Sequence, residues 1–198
     1  MQQLALLANI DSPPVQYWPG FLNQTQADNL LEQSLALNWQ QNQMKMFGRP
    51  VPLPRLESMF GDSPKIFYTY SSSVELHAKP WPIFLSELRA QVEAQTGYRF
   101  KLAIGNQYRS AQDSIGYHAD DEPTLGIRPA IASISLGSTR SFKMKRKNVG
   151  QTHSFDLSHG DLLLMEPSCQ DNWVHAVPKA SRSCGVRVNW TFRPYLLG

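Results

Sequence analysis

Cysteine is scarce in this chain of 198 residues, which contains only Cys169 and Cys184. Two cysteines are too few for a disulfide framework, and we expect both to be reduced thiols in a cytosolic type of compartment. Internal repeats are absent, so the length predicts a single domain over residues 1–198. Such a chain buries roughly 70% of its unfolded surface on folding and needs no disulfide bond for stability.

Long apolar segments are absent as well. No stretch approaches the ~18–20 apolar residues that a membrane-spanning helix needs. Residues 1–8 lack a positively charged start and are too short for a signal peptide. These absences predict a soluble monomer without a membrane partner, located in the cytoplasm, or in the nucleus if the source is a eukaryote.

A strong excess of one charge is also missing. The formal net charge is +3, which permits nucleic-acid binding without requiring it. The basic residues are nevertheless concentrated in residues 143–147, which contain three lysines, one arginine and one methionine. This basic run is either a solvated strand end or a contact with a phosphate backbone.

The first half of the chain predicts helices and a hairpin. One helix begins near Asn23 and another covers residues 82–95. Residues 43–54, here called the finger, predict a hairpin with a turn at residues 48–50 and Phe47 near its tip.

From residue 100 onward the chain consists mostly of short strand-like segments separated by Gly, Ser and Asp. These segments are residues 102–108, 130–136, 141–145, 154–157, 161–165 and 185–192. Many short strands at this spacing favour an α+β, mainly β, fold: a β-sandwich or jelly roll with helices packed outside.

A metal-binding pattern stands out among these strands. His118 and Asp120 are two positions apart, so on a strand they share one face. His175 from another strand would complete the two-His-one-carboxylate arrangement of non-haem Fe(II) oxygenases. The alternatives are a surface pair beside a core histidine, or a zinc hydrolase.

The last predicted strand carries a second unusual pattern. Its polar residues all fall on one face: Arg187, Asn189, Thr191 and Arg193. Asn106 and Tyr108 share a face of another strand and could add polar contacts. Because a buried arginine needs a partner and its planar fork suits a carboxylate, the pattern predicts a bound dicarboxylate. The alternative is a pair of structural salt bridges to Asp161 or Glu166.

Together these motifs resemble the AlkB family of Fe(II)/2-oxoglutarate-dependent dioxygenases, especially the DNA repair branch of the AlkB homologue 2 and 3 type. The resemblance implies a double-stranded β-helix (jelly roll) in residues 100–198, with helices and a nucleotide-recognition lid in residues 1–99. It implies an Fe(II) site formed by His118, Asp120 and His175. It implies a 2-oxoglutarate site formed by Asn106, Tyr108, Arg187, Asn189, Thr191 and Arg193.

The resemblance also implies a reaction. Members of the family use O2 and 2-oxoglutarate to hydroxylate an N-methyl carbon, releasing formaldehyde, succinate and CO2. The implied substrates are alkylated bases such as 1-methyladenine and 3-methylcytosine in DNA, in duplexes or in single strands. The residues implied to contact this substrate are Phe47, Arg55, Tyr68, Tyr70, Asp121 and Glu122.

Each of these residues has an implied role. Phe47 would fill the gap that a flipped base leaves, and Arg55 would hold the opened site. Tyr70 would stack on the base opposite His118, and Tyr68 would line the same pocket. The acidic pair that follows the iron motif, Asp121 and Glu122, would read a cationic methylated base.

Two other functions remain open on the sequence alone. The same oxygenase chemistry could act on RNA or on a protein side chain, because the core motifs would be identical. A nucleic-acid binding protein with a decayed site is the second alternative. For Phe47 itself, simple packing in the core is the alternative to a wedge.

Overall fold

The computed structural model describes residues 12–70 and 74–196, so the predicted absence of a signal peptide in residues 1–8 lies outside the described residues. The elements in chain order are β1 (Val15–Trp18), α1 (Gln24–Leu35), β2 (Gln43–Met46), β3 (Arg49–Pro52), β4 (Leu56–Gly61), β5 (Phe67–Tyr70), β6 (Val74–His77), α2 (Ile83–Thr96), β7 (Leu102–Tyr108), β8 (Ile115–His118), β9 (Ile131–Gly137), β10 (Arg140–Arg146), β11 (Thr152–Leu157), β12 (Leu162–Met165), α3 (Cys169–Asn172), β13 (Trp173–Val177) and β14 (Arg187–Arg193).

Two antiparallel sheets form the centre of the fold. The larger sheet has six strands in the order β1-β12-β9-β14-β7-β4, and the smaller has four in the order β11-β10-β13-β8. One apolar core contains residues of both sheets, including Ile104, Leu163, Met144 and Trp173. This arrangement confirms the predicted mainly β, jelly-roll architecture.

The opposite face of the larger sheet is covered by the helices. Leu85, Leu88 and Val92 of α2 pack in a second core with Trp190 and Phe192 of β14. The helix ends where the sequence predicts an end, because Gly97 adopts the left-handed conformation at its C-cap.

The first half of the chain contributes more to the barrel than the sequence predicts. Strands β1 and β4 form the two edges of the larger sheet, so residues before 100 are also part of the jelly roll. The strands β2 and β3 form the predicted finger, and β5 and β6 form a second hairpin. No helix within residues 12–70 and 74–196 is long and apolar enough to cross a membrane.

Strand β7 passes so close to the rings of Trp39 and Trp190 that only glycine fits at position 105. A Cβ atom on Gly105 would lie 2.5 Å from the Trp190 ring and 2.8 Å from the Trp39 ring. We expect Gly105→Ala to lower the free energy of unfolding by about 1–3 kcal/mol, because overpacking displaces two rings that are held on several sides.

Urea denaturation measures this effect. The matched control is Gly116→Ala in β8, because a Cβ atom there would meet nothing within 4 Å. Equal stability of Gly105→Ala and the wild-type protein would contradict the predicted clash.

Candidate active site

Three potential metal ligands converge at one end of the smaller sheet. His118 ends β8 and lies opposite His175 of β13 in the strand register. Asp120 lies two residues beyond β8, so the prediction that it shares the strand with His118 is wrong. The loop still brings it close, since its backbone N–H donates to Oε1 of Gln170 at 2.9 Å. One ligand atom from each of the three side chains lies within 4.8 Å of the others.

The protonation states of these groups suit a metal ion. Burial lowers the pKa of His175 to about 3, and burial also lowers the pKa of His118. Burial opposes ionisation of Asp120, but the Arg193 guanidinium and the two neighbouring histidines together outweigh it and hold the pKa of that carboxyl below its usual value. The site therefore offers two neutral imidazoles and one carboxylate, which is the donor set that Fe(II) binds.

Two observations indicate that Nε2 of His118 and Oδ2 of Asp120 are available to bind a metal ion. Nδ1 of His118 lies 2.9 Å from the carbonyl of Gly116, so this nitrogen donates and Nε2 keeps its lone pair. Oδ2 of Asp120 is buried without a hydrogen-bond partner in the described part of the chain. It lies 3.7 Å from Nε2 of His175, too far for a hydrogen bond but suitable for two ligands of one ion.

The Arg187 side chain is buried in the jelly roll with part of its hydrogen-bonding capacity unused. It is 1% exposed, and its Nη2 donates to Oγ of Ser135 at 2.9 Å. Its Nε and Nη1 have no hydrogen-bond partner among residues 12–70 and 74–196. Burial lowers the pKa of Arg187 to about 10, so the group stays cationic at neutral pH. A buried cation with two unused donors suits a carboxylate ligand.

The structural salt bridges considered as the alternative are not formed. Asp161 accepts hydrogen bonds from the Tyr17 hydroxyl and the Gly20 backbone. Glu166 accepts one from the Tyr98 hydroxyl at 2.8 Å.

Arg193 has a different environment from Arg187, although the sequence predicts equivalent roles. Its Nη2 donates to Oδ1 of Asp120 at 3.0 Å, and its Nη1 donates to Oγ1 of Thr191. Arg193 therefore orients the carboxylate among the candidate metal ligands. Its Nε is buried and lacks a partner within the described ranges.

A small inner cavity of about 40 Å³ adjoins the triad. Five of the six residues predicted to bind 2-oxoglutarate line it: Asn106, Tyr108, Asn189, Thr191 and Arg193. The sixth, Arg187, contacts this lining, with its guanidinium 5.3 Å from the centroid of the Tyr108 ring. Sequence periodicity missed Ser133, which lines the same cavity and accepts from Nδ2 of Asn189 at 2.8 Å.

A larger cavity of about 690 Å³ opens from the triad toward the finger. Four of the residues predicted to contact substrate line it: Arg55, Tyr68, Tyr70 and Glu122. Met44 and Val51 of the finger strands also line it, so the finger forms one wall. Oε2 of Glu122 is buried without a hydrogen-bond partner in the described residues, and burial raises the pKa of this carboxyl.

Two predicted substrate residues lie outside this cavity. The carboxylate of Asp121 is 62% exposed and lies 3.7 Å from Nζ of Lys147. Phe47 is fully exposed at the tip of the finger. The packing alternative for Phe47 is therefore wrong.

The tip of the finger is an unusual place for phenylalanine. The turn consists of Phe47 and Gly48, one residue earlier than predicted, and both have positive φ values, 50° and 76°. Two-residue turns of this kind favour Asn-Gly, because a bulky side chain at positive φ is strained. Packing in the core therefore does not explain why a phenylalanine stands at this strained and fully exposed position.

Comparisons with known proteins agree with this geometry. Residues 14–193 match the family described as the 2OG-Fe(II) oxygenase superfamily. The chain is 39% identical over 187 residues to the alpha-ketoglutarate-dependent dioxygenase alkB homolog 3 of Rattus norvegicus, covering 89% of this chain and 62% of the relative. It is 35% identical over 162 residues to the DNA oxidative demethylase ALKBH2 of Homo sapiens, covering 78% of this chain and 61% of the relative.

The chain thus spans less than two thirds of the length of these curated relatives. The solved structure of OsALKBH1 superposes with a TM-score of 0.62 at 21% identity, covering 92% of this chain and 98% of that one, and it supports the fold alone. The family match covers the triad and both cavities. The chain is therefore similar to AlkB homologues and belongs to the 2OG-Fe(II) oxygenase superfamily, whose metal and cosubstrate are Fe(II) and 2-oxoglutarate.

Proposed function

We propose that this protein repairs DNA by oxidative demethylation of 1-methyladenine and 3-methylcytosine. His118, Asp120 and His175 hold Fe(II), and the residues of the inner cavity together with Arg187 hold 2-oxoglutarate. The observation that carries the proposal is the 690 Å³ cavity, which joins the triad to the finger. A relative of similar sequence is named a DNA oxidative demethylase, which supports the same class of substrate.

The cavity walls suit a single flipped base. The rings of Tyr68 and Tyr70 lie 6.0 Å apart and form an aromatic wall, with His118 also lining the cavity. Glu122 places an oxygen without a partner among the described residues in this space, which favours a cationic methylated base. When bound, Fe(II) and 2-oxoglutarate supply the oxidation of the methyl C–H bond by O2. The protein residues orient the base and exclude water.

The outer surface of the protein suits a nucleic-acid backbone. In this proposal Phe47, which is exposed at the tip of the finger, fills the gap in a duplex from which the base has been flipped. In the basic run, Lys145 is exposed and suits a phosphate contact. Lys147 has a different role, because its Nζ donates to the carbonyl of Gln170 at 2.8 Å beside the Asp120 loop.

Mass spectrometry of methylated oligonucleotides tests the proposal. Single-stranded and duplex oligonucleotides with one 1-methyladenine are incubated with protein, Fe(II), ascorbate and 2-oxoglutarate, and we expect the loss of one methylene. The matched control is His118→Ala, which lacks a metal ligand. Succinate formation without any change in DNA mass would overturn the proposal and direct the search to methylated RNA and to proteins.

The finger gives a separate prediction about strand preference. We expect Phe47→Ala to lower repair of duplex substrate about tenfold or more, because unstacking a base step costs a few kcal/mol that the wedge offsets. Repair of single strands should change little, since no gap has to be filled.

The control for this variant is Ile127→Ala, which truncates another exposed apolar side chain, 95% accessible, in a different loop. The measurement is the ratio of initial repair rates on matched duplex and single-stranded substrates, compared between each variant and the wild-type protein. An equal loss on both substrates would contradict a wedge.

A further inference from the structure

Glu57 is a buried carboxylate in the cavity wall that takes no direct part in holding the metal or 2-oxoglutarate. It lies in β4, is 2% exposed and lines the larger cavity. A buried carboxylate is costly to desolvate unless charged and polar partners compensate it. Its partners therefore indicate why the fold retains it.

Both carboxylate oxygens of Glu57 are fully engaged. Oε1 accepts from Nε and Nη2 of Arg55 at 3.1 and 2.8 Å. Oε2 accepts from Nδ2 of Asn42 at 2.9 Å and from the hydroxyl of Tyr70. Charge-assisted hydrogen bonds in a buried site hold geometry more tightly than neutral ones.

These partners belong to different parts of the site. Asn42 directly precedes β2, the first strand of the finger, and its carbonyl accepts from the backbone N–H of Leu53 at 2.8 Å, which closes the finger base. Tyr70 ends β5 and forms part of the aromatic wall. Arg55 also donates to Oδ1 of Asn106 at 2.8 Å, at the inner cavity.

The backbone of Glu57 makes a further connection to the finger. Its N–H donates to the carbonyl of Gln40 at 2.8 Å, and its carbonyl accepts from the N–H of Gln40 at 3.0 Å. Glu57 thus holds the segment that leads into the finger in two ways: its main chain binds Gln40 and its side chain binds Asn42.

We propose that Glu57 is a positioning residue that couples the finger to the aromatic wall of the base-binding cavity. This inference rests on the proposed function and adds a link between duplex opening at Phe47 and the seating of the base against Tyr70. Neutralising Glu57 would leave the Arg55 guanidinium buried without its anion and would weaken the attachments of both Asn42 and Tyr70.

Hydrogen–deuterium exchange measures this coupling without relying on catalysis. In Glu57→Gln we expect the amides of residues 42–53 to exchange about tenfold faster, because a charge-assisted bond at the finger base is lost. The amides of β9 and β14 should exchange at the wild-type rate. The matched control is Glu75→Gln, which neutralises a half-exposed carboxylate on β6.

Unchanged exchange of residues 42–53 would overturn the inference, whether or not the protein demethylates DNA. If Glu57→Gln fails to fold, Asn42→Ala removes the side-chain link to the finger alone and must give the same local increase in exchange. If wild-type protein leaves methylated DNA unchanged while the exchange rises as expected, the proposed function fails and the coupling stands.

Kinetics then separate positioning from a general structural defect. In Glu57→Gln we expect KM for the methylated duplex to rise about tenfold, while KM for 2-oxoglutarate stays near that of the wild-type protein. Equal changes in both values would indicate damage to the whole site and would overturn the proposed role.

Discussion

Asp120→Asn is expected to lower succinate formation at least about 100-fold and to weaken Fe(II) binding by a similar factor. Changes in groups that only support metal ligands already cost about 10–100-fold, and this change removes the one charged group of the triad. The loss of charge matters because a carboxylate and two neutral imidazoles form the donor set for Fe(II). Anaerobic calorimetric titration with Fe(II) and a succinate assay measure the two effects.

The choice of asparagine keeps an acceptor for Arg193 while removing the negative charge from the metal site. The amide oxygen can still accept from Nη2 of Arg193, which lies 3.0 Å from Oδ1 of Asp120. Asp120→Ala would instead leave Arg193 buried without its partner, at a cost of about 3–5 kcal/mol. The control is Asp121→Asn at the exposed neighbouring position, which should keep its affinity for Fe(II). An Asp120→Asn protein with wild-type Fe(II) affinity would refute the metal site.

Local periodicity explains what can be predicted from the sequence. Strand β14 alternates polar and apolar residues, so residue order alone separates its arginine face from its tryptophan face. The end of α2 can also be predicted from the sequence, because a glycine directly after a helical segment favours the left-handed conformation that ends a helix, and Gly97 adopts it. Within the triad, residue type and spacing identify the pair His118 and Asp120.

Strand β4 shows where this reasoning fails. Its residues after Leu56 are all buried, so the period of two that marks a half-buried strand is missing. Its pairing with β7 joins segments far apart in the sequence, and no local pattern specifies such a partner. For the same reason the sequence does not identify Glu57, whose importance depends on Asn42 and Tyr70 meeting it in space.

The two arginines illustrate the same limit within the site. Their even spacing predicts a shared face but not which partner each one meets. Only the structure shows that Arg193 donates to Asp120, whereas two donors of Arg187 lack partners in the described ranges. The difference decides which of them is left to bind a ligand carboxylate.

Arg187→Met is accordingly expected to raise KM for 2-oxoglutarate at least about 30-fold, because removing one side of a buried charge pair costs about 2 kcal/mol or more. The turnover number at saturating 2-oxoglutarate should fall much less, since the metal ligands and Arg193 are untouched. Arg187→Lys should give an intermediate KM, because it keeps the charge without the planar fork. Arg109→Met, at an ion pair near the surface, is the control.

Stability provides an independent test of the same residue. A buried guanidinium with two unused donors destabilises the ligand-free protein, so the methionine variant should have an equal or higher Tm without 2-oxoglutarate. Addition of 2-oxoglutarate should raise Tm in the wild-type protein and much less in the variant, because a ligand stabilises only the state that binds it. A variant that loses stability and keeps its response to 2-oxoglutarate would show that Arg187 supports the fold rather than the ligand.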